Sequence, residues 1–362
     1  MRRSSRKRAP SRSVASSFSY PQQVLHQRLE TNFQRGVCIR LNWSEMKKYS
    51  LLPMMCLLLA PAFAQKNPFA GRWDLNVTPA TGTAYPQWME ITDAAGKVDG
   101  RIQPRGGAVR PIVAARMDGG HLIITVADAT PRGPATTWDL TVQGDKLSGV
   151  EKRGDAAGPQ IAGVRAPALK RPMPKAWTAP EPIFNGKDLT GWEPIGNAQN
   201  SKWVARNGEL VNDNPEVEGQ RGPGAANIKT TRKFDDFKLH IEVNCPEHGN
   251  SGIYLRGRYE IQVGTEGGTV PSHEMGAVYG HIAPAGNIGN KLGQWTAFDI
   301  TLVGRTLTVV RDGVTIHDKV ELPGPTGGAL DSNEGEPGPF FLQGDHHGVI
   351  QFRNITISEP KK

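Results

Sequence analysis

The sequence predicts an all-β protein with two folded domains. Short runs in which apolar and polar residues alternate recur through 66–165 and 183–360, as expected of half-buried strands. Neither region contains a convincing amphipathic helix. Between them, residues 166–182 hold five prolines and no apolar periodicity, which predicts a semi-rigid, extended linker.

Residues 46–64 predict an export signal. A charged start at Met46 leads into a short apolar run, and 62–64 (Ala-Phe-Ala) supply the small-x-small cleavage pattern. Gln65 is therefore the expected mature N-terminus, and the expected location is periplasmic or secreted. The apolar run is too short to span a bilayer, so no stable membrane anchor is expected. Residues 1–45 are interpreted as either a misassigned start or a disordered leader.

The charge distribution argues against a nucleic-acid partner. The chain has a formal net charge of +8, but residues 1–64 contain 11 of its 43 basic residues and only two of its 35 acidic ones. The remaining 32 basic and 33 acidic residues give 65–362 a net charge of −1. A nucleic-acid-binding domain would show a basic patch in its folded part.

Residues 66–165 read as short strands separated by glycine-containing turns. Examples are the runs at 88–91, 121–126 and 137–142. This spacing predicts a small antiparallel meander or barrel. The opening Gly71-Arg72-Trp73 is similar to the Gly-x-Trp start of lipocalin-like barrels. No catalytic constellation is evident here, so we expect an accessory β domain.

Residues 183–360 contain more strand-like runs, and two tight turns join some of them. Asn207-Gly208 and Asp312-Gly313 each lie between two runs, where a type I′ hairpin needs two residues with positive φ. So many antiparallel strands in one domain predict a two-sheet sandwich. The runs are at 203–206, 209–211, 237–243, 252–263, 296–303, 306–311, 314–317 and 349–357.

The stretch 250–263 predicts two adjacent strands joined by a tight turn. In the first strand Tyr254 and Arg256 would share one face, and in the second strand Glu260 and Gln262 would share it. A cation, a carboxylate and an amide would then project from one sheet surface. Such a surface suits a polar ligand such as a sugar.

Three motifs resemble those of the 3-keto-disaccharide hydrolase family. Residues 183–192 (IFNGKDLTGW) are similar to its opening motif, the stretch 250–263 to its central one, and 338–347 with 352–355 to its closing pattern. They occur in order over 183–357. The resemblance implies a concanavalin-like jelly-roll sandwich and an exported enzyme acting on 3-keto-glycosides.

The chemistry of a 3-keto-glycoside determines which catalytic groups such a site must contain. The ketone acidifies the C2 hydrogen, so removing it can expel the C1 glycosidic oxygen by elimination, after which water adds. This route needs a general base, a group for the enolate oxygen and an acid for the leaving group. Direct hydrolysis by a carboxylate pair is the alternative. A separate 3-dehydrogenase would form the ketone upstream, because this chain lacks a dinucleotide fingerprint.

Three residues are expected to be catalytic: Glu260, Arg256 and His346. Glu260 would serve as the base or a metal ligand, unless it is only the ion-pair partner of Arg256 or Arg258. Arg256 would bind an enolate or hydroxyl oxygen, unless it only forms the same ion pair. His346 is preferred over His347 for the family's histidine position, and histidine titrates in the useful range.

Seven further residues are expected to bind substrate. Tyr279 lies in a segment that resembles the family's Gly-x-Tyr-Gly loop, and its ring could stack on a sugar. His281 is either a further acid–base group or an exposed loop histidine. The seven are Gln262, Tyr254, Tyr279, His281, Gln343, Asp345 and His347.

No cofactor is certain from the sequence, and a divalent metal ion stays open. Glu260 with His346 or His347 and a loop carboxylate, Glu266 or Glu274, would suit mixed nitrogen and oxygen coordination. No compact metal-binding spacing supports it. The main alternative to an enzyme is a non-catalytic carbohydrate-binding sandwich, because fold alone does not determine function.

Overall fold

The computed structural model of the chain describes residues 67–127, 135–154, 156–215, 225–264, 270–286, 288–346 and 348–362. The predicted leader and signal peptide, Glu266 and His347 lie outside these ranges. Regular structure within the ranges consists of strands and two short 3-10 turns, at Ala198–Asn200 and Pro271–His273. This confirms the all-β prediction. No helix in the described ranges is long and apolar enough to cross a membrane.

The first domain is a closed barrel of eight antiparallel strands. Each strand pairs with the next, and the last pairs with the first. Of the two predicted forms, meander or barrel, the structure is the barrel. The strands are β1 Gly71–Thr78, β2 Tyr85–Ala94, β3 Lys97–Gln103, β4 Arg110–Asp118, β5 His121–Val126, β6 Thr136–Gln143, β7 Lys146–Arg153 and β8 Ala156–Arg165.

The second domain is a sandwich of two antiparallel sheets. The first sheet has the order β10 Trp192–Pro194, β13 Ile228–Thr230, β20 Phe341–Leu342, β15 Asn250–Leu255, β16 Tyr259–Gly264. The second has the order β11 Trp203–Arg206, β12 Glu209–Asn214, β21 Gly348–Ser358, β14 Phe237–Asn244, β17 Trp295–Val303, β18 Thr306–Arg311, β19 Val314–Glu321. The short β9, Glu181–Pro182, also pairs with β21.

The hydrophobic core of the sandwich lies between its sheets. Alternation along β14 buries Phe237, Leu239, Ile241 and Val243, as the period of a strand requires. The two predicted hairpin turns are confirmed by positive φ at both central residues: 54° and 81° at 207–208, and 49° and 81° at 312–313.

The outer face of β1 and β2 packs against the sandwich, and both domains belong to one compact unit, 63–362. The Trp88 indole donates a hydrogen bond to Pro325 O (2.7 Å), and Arg72 forms an ion pair with Glu321 (3.1 Å). Trp88 is buried, so this contact excludes water from a large apolar ring.

A pair of buried carboxyl groups also lies in this interface. Asp74, on β1, hydrogen-bonds to Glu334, and Glu334 accepts a second bond from the Tyr259 hydroxyl (2.6 Å). The pKa of Asp74 is raised to about 9, mainly by burial and to a smaller extent by the negative charge of Glu334. A proton between the two carboxyl groups lets one donate to the other.

The proline-rich segment has no helix or long strand and is anchored to the sandwich. Pro167 O accepts a bond from the Arg305 guanidinium, and Leu169 O accepts one from the Arg305 amide (3.2 Å). Arg171 pairs with Asp235 (2.6 Å) and with Asp236 (3.0 Å). These bonds fix the path of the segment between barrel and sandwich.

Candidate active site

The β15–β16 hairpin presents polar side chains from one face of the first sheet. Tyr254 lies directly opposite Glu260, and Gly252 opposite Gln262. The intervening residues, Ile253 among them, are buried in the core. The predicted shared face of Tyr254, Glu260 and Gln262 is therefore confirmed.

Glu260 and Tyr254 form the centre of this face. The Tyr254 hydroxyl lies 2.7 Å from Glu260 Oε2 and 2.8 Å from the carbonyl oxygen of Gly327. The Glu260 amide donates to Thr326 Oγ1 (2.9 Å), so the same segment, 326–327, contacts both residues. Both side chains are 2 % exposed. A phenol and a carboxyl in hydrogen-bond contact form an acid–base pair.

Burial, and then the negative charge of Glu260, holds the pKa of the Tyr254 phenol well above its usual value. The charges of Asp345 and Tyr279 add smaller contributions that raise this pKa further. The Tyr254 ring also stacks on Phe341, with centroids 3.7 Å apart and ring planes at 14°. Tyr254 is therefore a fixed, neutral hydrogen-bond donor at neutral pH.

Two amide side chains flank the pair. Gln262 donates to Asn250 Oδ1 (2.8 Å) and is 1 % exposed, so its amide is held within the sheet face. Gln343 follows β20 and its backbone amide donates to Gly252 O (3.0 Å). Its side-chain Oε1 is buried and has no hydrogen-bond partner among the described residues. An unpaired buried acceptor of this kind suits a ligand hydroxyl.

A histidine–aspartate pair lies beyond the end of β20. His346 Nδ1 is 2.7 Å from Asp345 Oδ1, and both side chains are partly exposed. Asn227 Oδ1 accepts bonds from the amides of Gly344 (2.7 Å) and Asp345 (3.3 Å), which fixes the turn. Because a carboxylate only accepts, Nδ1 carries the hydrogen of this bond and Asp345 sets the orientation of the ring.

The loop 270–282 runs beside the outer strand of this sheet. The Tyr279 amide donates to Glu260 O (3.1 Å), and its ring stacks on His273 with centroids 4.8 Å apart. Glu274, one of the predicted loop carboxylates, accepts instead from Asn290 (3.0 Å). Tyr279 therefore stays with the candidate site, whereas Glu274 points to a neighbouring cavity of about 340 Å³.

The predicted convergence of Arg256 with Glu260 is wrong. Arg256 has a φ of 52°, so the chain leaves the strand at this residue and the alternation ends. Its guanidinium bonds to Asp235 (3.1 Å) and to Gly304 O, and lies over the ring of Tyr259. It is fully buried on the core side of the hairpin. Arg258 pairs with Asp331 rather than with Glu260.

His281 does not join the polar face either. Its Nε2 lies 2.7 Å from Gln103 Oε1 of the barrel, and its ring meets Trp88 edge-on at 5.7 Å. Burial lowers its pKa to about 3, so the ring is neutral at physiological pH. The predicted alternatives of acid–base group and exposed histidine are both replaced by a buried contact between domains.

The described residues contain no group of three or more histidine, cysteine, aspartate or glutamate side chains placed to hold a metal ion. The proposed set included His347 and Glu266, which lie outside those residues. Glu260 is already bonded to Tyr254, and His346 to Asp345.

Three residues of the site were not predicted from the sequence. Gly252 leaves room for the Glu260 carboxylate, since a Cβ there would lie 2.2 Å from Oε1. A glycine inside a strand is a recognised sign of such close approach. Phe341 lies two residues before Gln343, so on a strand the two would share a face, which is a weaker sign that Phe341 belongs to the site. Gly327 lies in a loop, and no local pattern indicates its contact with Tyr254.

The sequence profile of the 3-keto-alpha-glucoside-1,2-lyase-like domain matches residues 179–358. This part of the chain belongs to that family. The match covers the whole sandwich and its polar face, and it confirms the resemblance seen in the three motifs. Membership places the chain among carbohydrate-active proteins that act on glycosides.

Comparisons of structure give similar proteins that cover about half of this chain. A proposed glycosyl hydrolase from Parabacteroides distasonis is 30% identical, with 52% of this chain and 92% of that chain covered and a TM-score of 0.41. A second from the same organism is 17% identical, with coverages of 51% and 94% and a TM-score of 0.39. A carbohydrate-binding module from Bacillus subtilis is 13% identical, with coverages of 47% and 97% and a TM-score of 0.28. No curated protein matches the chain.

Proposed function

We propose that the chain is an exported enzyme that cleaves the glycosidic bond of 3-keto-glycosides at the Tyr254–Glu260 face. The observation that carries this proposal is the buried carboxyl of Glu260 at 2.7 Å from the Tyr254 phenol, in a domain of the 3-keto-alpha-glucoside-1,2-lyase-like family. Glu260 is the general base, Tyr254 its hydrogen-bond partner and His346 the general acid.

The reaction begins with removal of the C2 proton by Glu260. The electron pair of the C2–H bond forms a C2=C3 double bond, and the C3 oxygen becomes an enolate. When the enolate re-forms the C3 carbonyl, the electron pair of the C2=C3 bond moves to form a C1=C2 double bond. The C1–O bond then breaks, and the leaving oxygen takes a proton from His346. Water then adds across the C1=C2 double bond. Its oxygen bonds to C1 while its proton passes to His346, and Glu260 returns a proton to C2, so both residues are regenerated and the hydrolysis is complete.

The hydrogen bonds of Tyr254 support Glu260 as the base. Tyr254 has one hydroxyl proton but two acceptors, Glu260 Oε2 and Gly327 O, within 2.8 Å. While Glu260 is ionised, the phenol can donate to only one of these two acceptors at a time. Once Glu260 has taken the substrate proton it can donate to the phenol oxygen, and the phenol can donate to Gly327. Tyr254 can therefore stay hydrogen-bonded to Glu260 before and after the proton is taken.

The remaining polar groups suit substrate binding. Gln343 Oε1 can accept from a sugar hydroxyl, which gives this buried atom the partner it otherwise lacks among the described residues. Asp345 orients His346 through Nδ1 and stabilises the protonated ring. Tyr279 offers a ring to a sugar face. A separate 3-dehydrogenase would have to supply the ketone.

The test uses the full chain with a 3-keto-glycoside, such as 3-keto-trehalose, and with the parent glycoside as the matched control. We expect sugar to be released from the ketone only. Equal cleavage of the parent would contradict the elimination, because without the ketone C2 is not acidic. Binding of both without cleavage would instead indicate a carbohydrate-binding module.

Deuterium at C2 separates the two routes of cleavage. Elimination predicts a slower reaction or loss of the label to water. Complete retention of deuterium with no isotope effect would favour direct hydrolysis by two carboxylates.

A further inference from the structure

The loop between β3 and β4 of the barrel contacts the sandwich next to Tyr254 and Glu260. Two backbone hydrogen bonds join them: the Gly328 amide donates to Arg105 O (3.0 Å), and the Val109 amide donates to Gly280 O (3.3 Å). This loop, residues 103–109, is called the barrel loop below. It connects the first domain directly to the candidate active site.

The barrel loop and the sandwich approach each other through glycines. A Cβ at Gly327 would lie 2.8 Å from the backbone N and O of Gly107, and a Cβ at Gly280 would lie 2.5 Å from the Cα of Ala108. In both cases the obstructing atoms belong to backbone, which cannot rotate away as a side chain can. The main chains are therefore in direct contact, and one cannot shift without the other.

The sandwich segments in this contact are the ones that hold the acid–base pair. Gly327 O is the 2.8 Å acceptor of Tyr254, and the neighbouring Thr326 accepts from the Glu260 amide. On the other side, the Tyr279 amide, one residue before the contact at Gly280, donates to Glu260 O. The position of the barrel loop therefore determines where the partners of both residues lie.

A buried glutamine fixes the loop and the tautomer of His281 together. Gln103 Nε2 donates to Pro104 O (2.9 Å) and to Gly107 O (2.8 Å), which closes the loop. With both amide hydrogens donated there, Gln103 Oε1 must accept from His281 Nε2. His281 is thus a neutral ring with its proton on Nε2, and it ties the segment after Tyr279 to the barrel.

We propose that the barrel loop is a positioning element of the active site, and that Gln103 acts through Gly107 and His281 to hold the Tyr254–Glu260 pair in its reactive geometry. The proposal rests on the proposed function. It gives the N-terminal barrel a part in the reaction that the family domain, 179–358, does not contain. Neither Gln103 nor Gly107 is expected to touch the substrate.

Steady-state kinetics of the full chain test this role. We expect Gln103→Leu and Gly327→Ala to lower kcat about 10- to 100-fold, because misplacement of reacting groups by about 1 Å costs up to about 100-fold. KM should stay within about twofold, since no substrate contact is removed. Unchanged kcat in both variants would overturn the proposal.

Matched controls separate positioning from a general effect of substitution. Gln160→Leu changes an exposed glutamine of the same barrel, and Gly335→Ala adds a methyl whose nearest neighbour is 3.7 Å away. Both should retain wild-type kcat. A loss of kcat as large in the controls as in Gln103→Leu and Gly327→Ala would also overturn the proposal.

A second measurement does not depend on activity. In the chain labelled with ¹⁵N-histidine, we expect His281 to show the Nε2-protonated pattern down to about pH 5, assigned by its loss in His281→Gln. Gln103→Leu should abolish that pattern. Identical spectra for wild type and Gln103→Leu would contradict the anchoring even if the enzyme prefers another substrate. Absence of cleavage with an intact His281 pattern would count against the proposed function alone.

Discussion

The carboxylate of Glu260 occupies the space that a side chain at position 252 would need. An ideal Cβ on Gly252 would lie 2.2 Å from Glu260 Oε1 and 2.9 Å from Cδ. Gly252 pairs with Gln262 across the two strands, so Glu260 leans diagonally towards it. The absence of a Cβ at one residue therefore sets the direction in which the other presents its carboxyl.

Gly252→Ala should lower turnover of a 3-keto-glycoside about 10- to 100-fold, because the methyl group displaces Glu260 from Tyr254. The thermal midpoint should change little, since the obstructing atoms are the end of one side chain. Activity and thermal unfolding measured side by side check this. Gly335→Ala is the matched glycine control, and wild-type activity in Gly252→Ala would remove the steric argument.

Glu260→Gln should lower turnover at least about 100-fold, the scale expected for loss of a general base. The amide keeps the shape of the carboxyl and can still accept from Tyr254, so the protein should remain folded. Single-turnover kinetics with the 3-keto-glycoside measure the effect on the chemical step. Full activity in this variant would return Glu260 to a structural role.

His346→Ala should also lower turnover by about 100-fold if His346 protonates the leaving oxygen. The chain offers a matched control in His240, whose Nδ1 lies 2.7 Å from Asp299 on the other sheet of the sandwich. His240→Ala removes the same kind of pair without touching the candidate site. His346→Ala should lower the turnover of a 3-keto substrate with a good leaving group less than that of a substrate with a poor leaving group. Equal losses for the two substrates would argue against the acid role.

Arg256→Ala should act on stability rather than on the reaction. The fully buried guanidinium bonds Asp235 and Gly304 O, so its removal leaves both without that partner. We expect a loss of at least about 2 kcal/mol in the free energy of unfolding. The folded fraction should keep wild-type kcat within a few-fold. A folded variant of unchanged stability with kcat lowered 100-fold would restore Arg256 to the catalytic group.

The Asp74–Glu334 pair should make stability depend on pH. The pKa of Asp74 is about 9 in the folded protein, above its usual 3.8, so the native state binds more protons between these values. The free energy of unfolding therefore falls as pH rises through this window, by about 1.4 kcal/mol per unit at most. Asp74→Asn removes this slope and should gain stability relative to wild type from pH 5 to 8.

Urea unfolding at several pH values measures that difference, with Asp318→Asn, at an exposed aspartate, as the control. The stability gap between Asp74→Asn and wild type should widen as pH rises. A gap that stays constant with pH would show that Asp74 is not protonated in the native state.

The hairpin at the centre of the site shows what the sequence can predict. Alternation over 250–263 predicted the face on which each side chain lies, because successive residues of a strand point to opposite faces. Tyr254 and Glu260 were therefore placed on one face. The same rule failed at Arg256, since periodicity holds only while the backbone is extended and the φ of 52° ends the strand there.

The partners that come from distant parts of the chain were beyond such reasoning. Gly327, whose carbonyl accepts a hydrogen bond from Tyr254, is 73 residues from it in the sequence. Gln103 is 178 residues from its partner His281. These contacts depend on how the barrel packs against the sandwich, which no local pattern encodes. Treating the first domain as an accessory followed from the absence of a catalytic motif, and the structure joins it to the site through backbone contacts.

The anchored proline-rich segment has a consequence for how the two domains stay together. Because it is tied at Pro167, Leu169 and Arg171, the barrel is held close to its docking surface at a high effective concentration, on the order of millimolar. Contacts such as Trp88 with Pro325 then need only modest intrinsic affinity to remain formed. A barrel supplied as a separate polypeptide would lose this effective concentration, so trans-complementation should depend on protein concentration, whereas the activity per molecule of the intact chain should not.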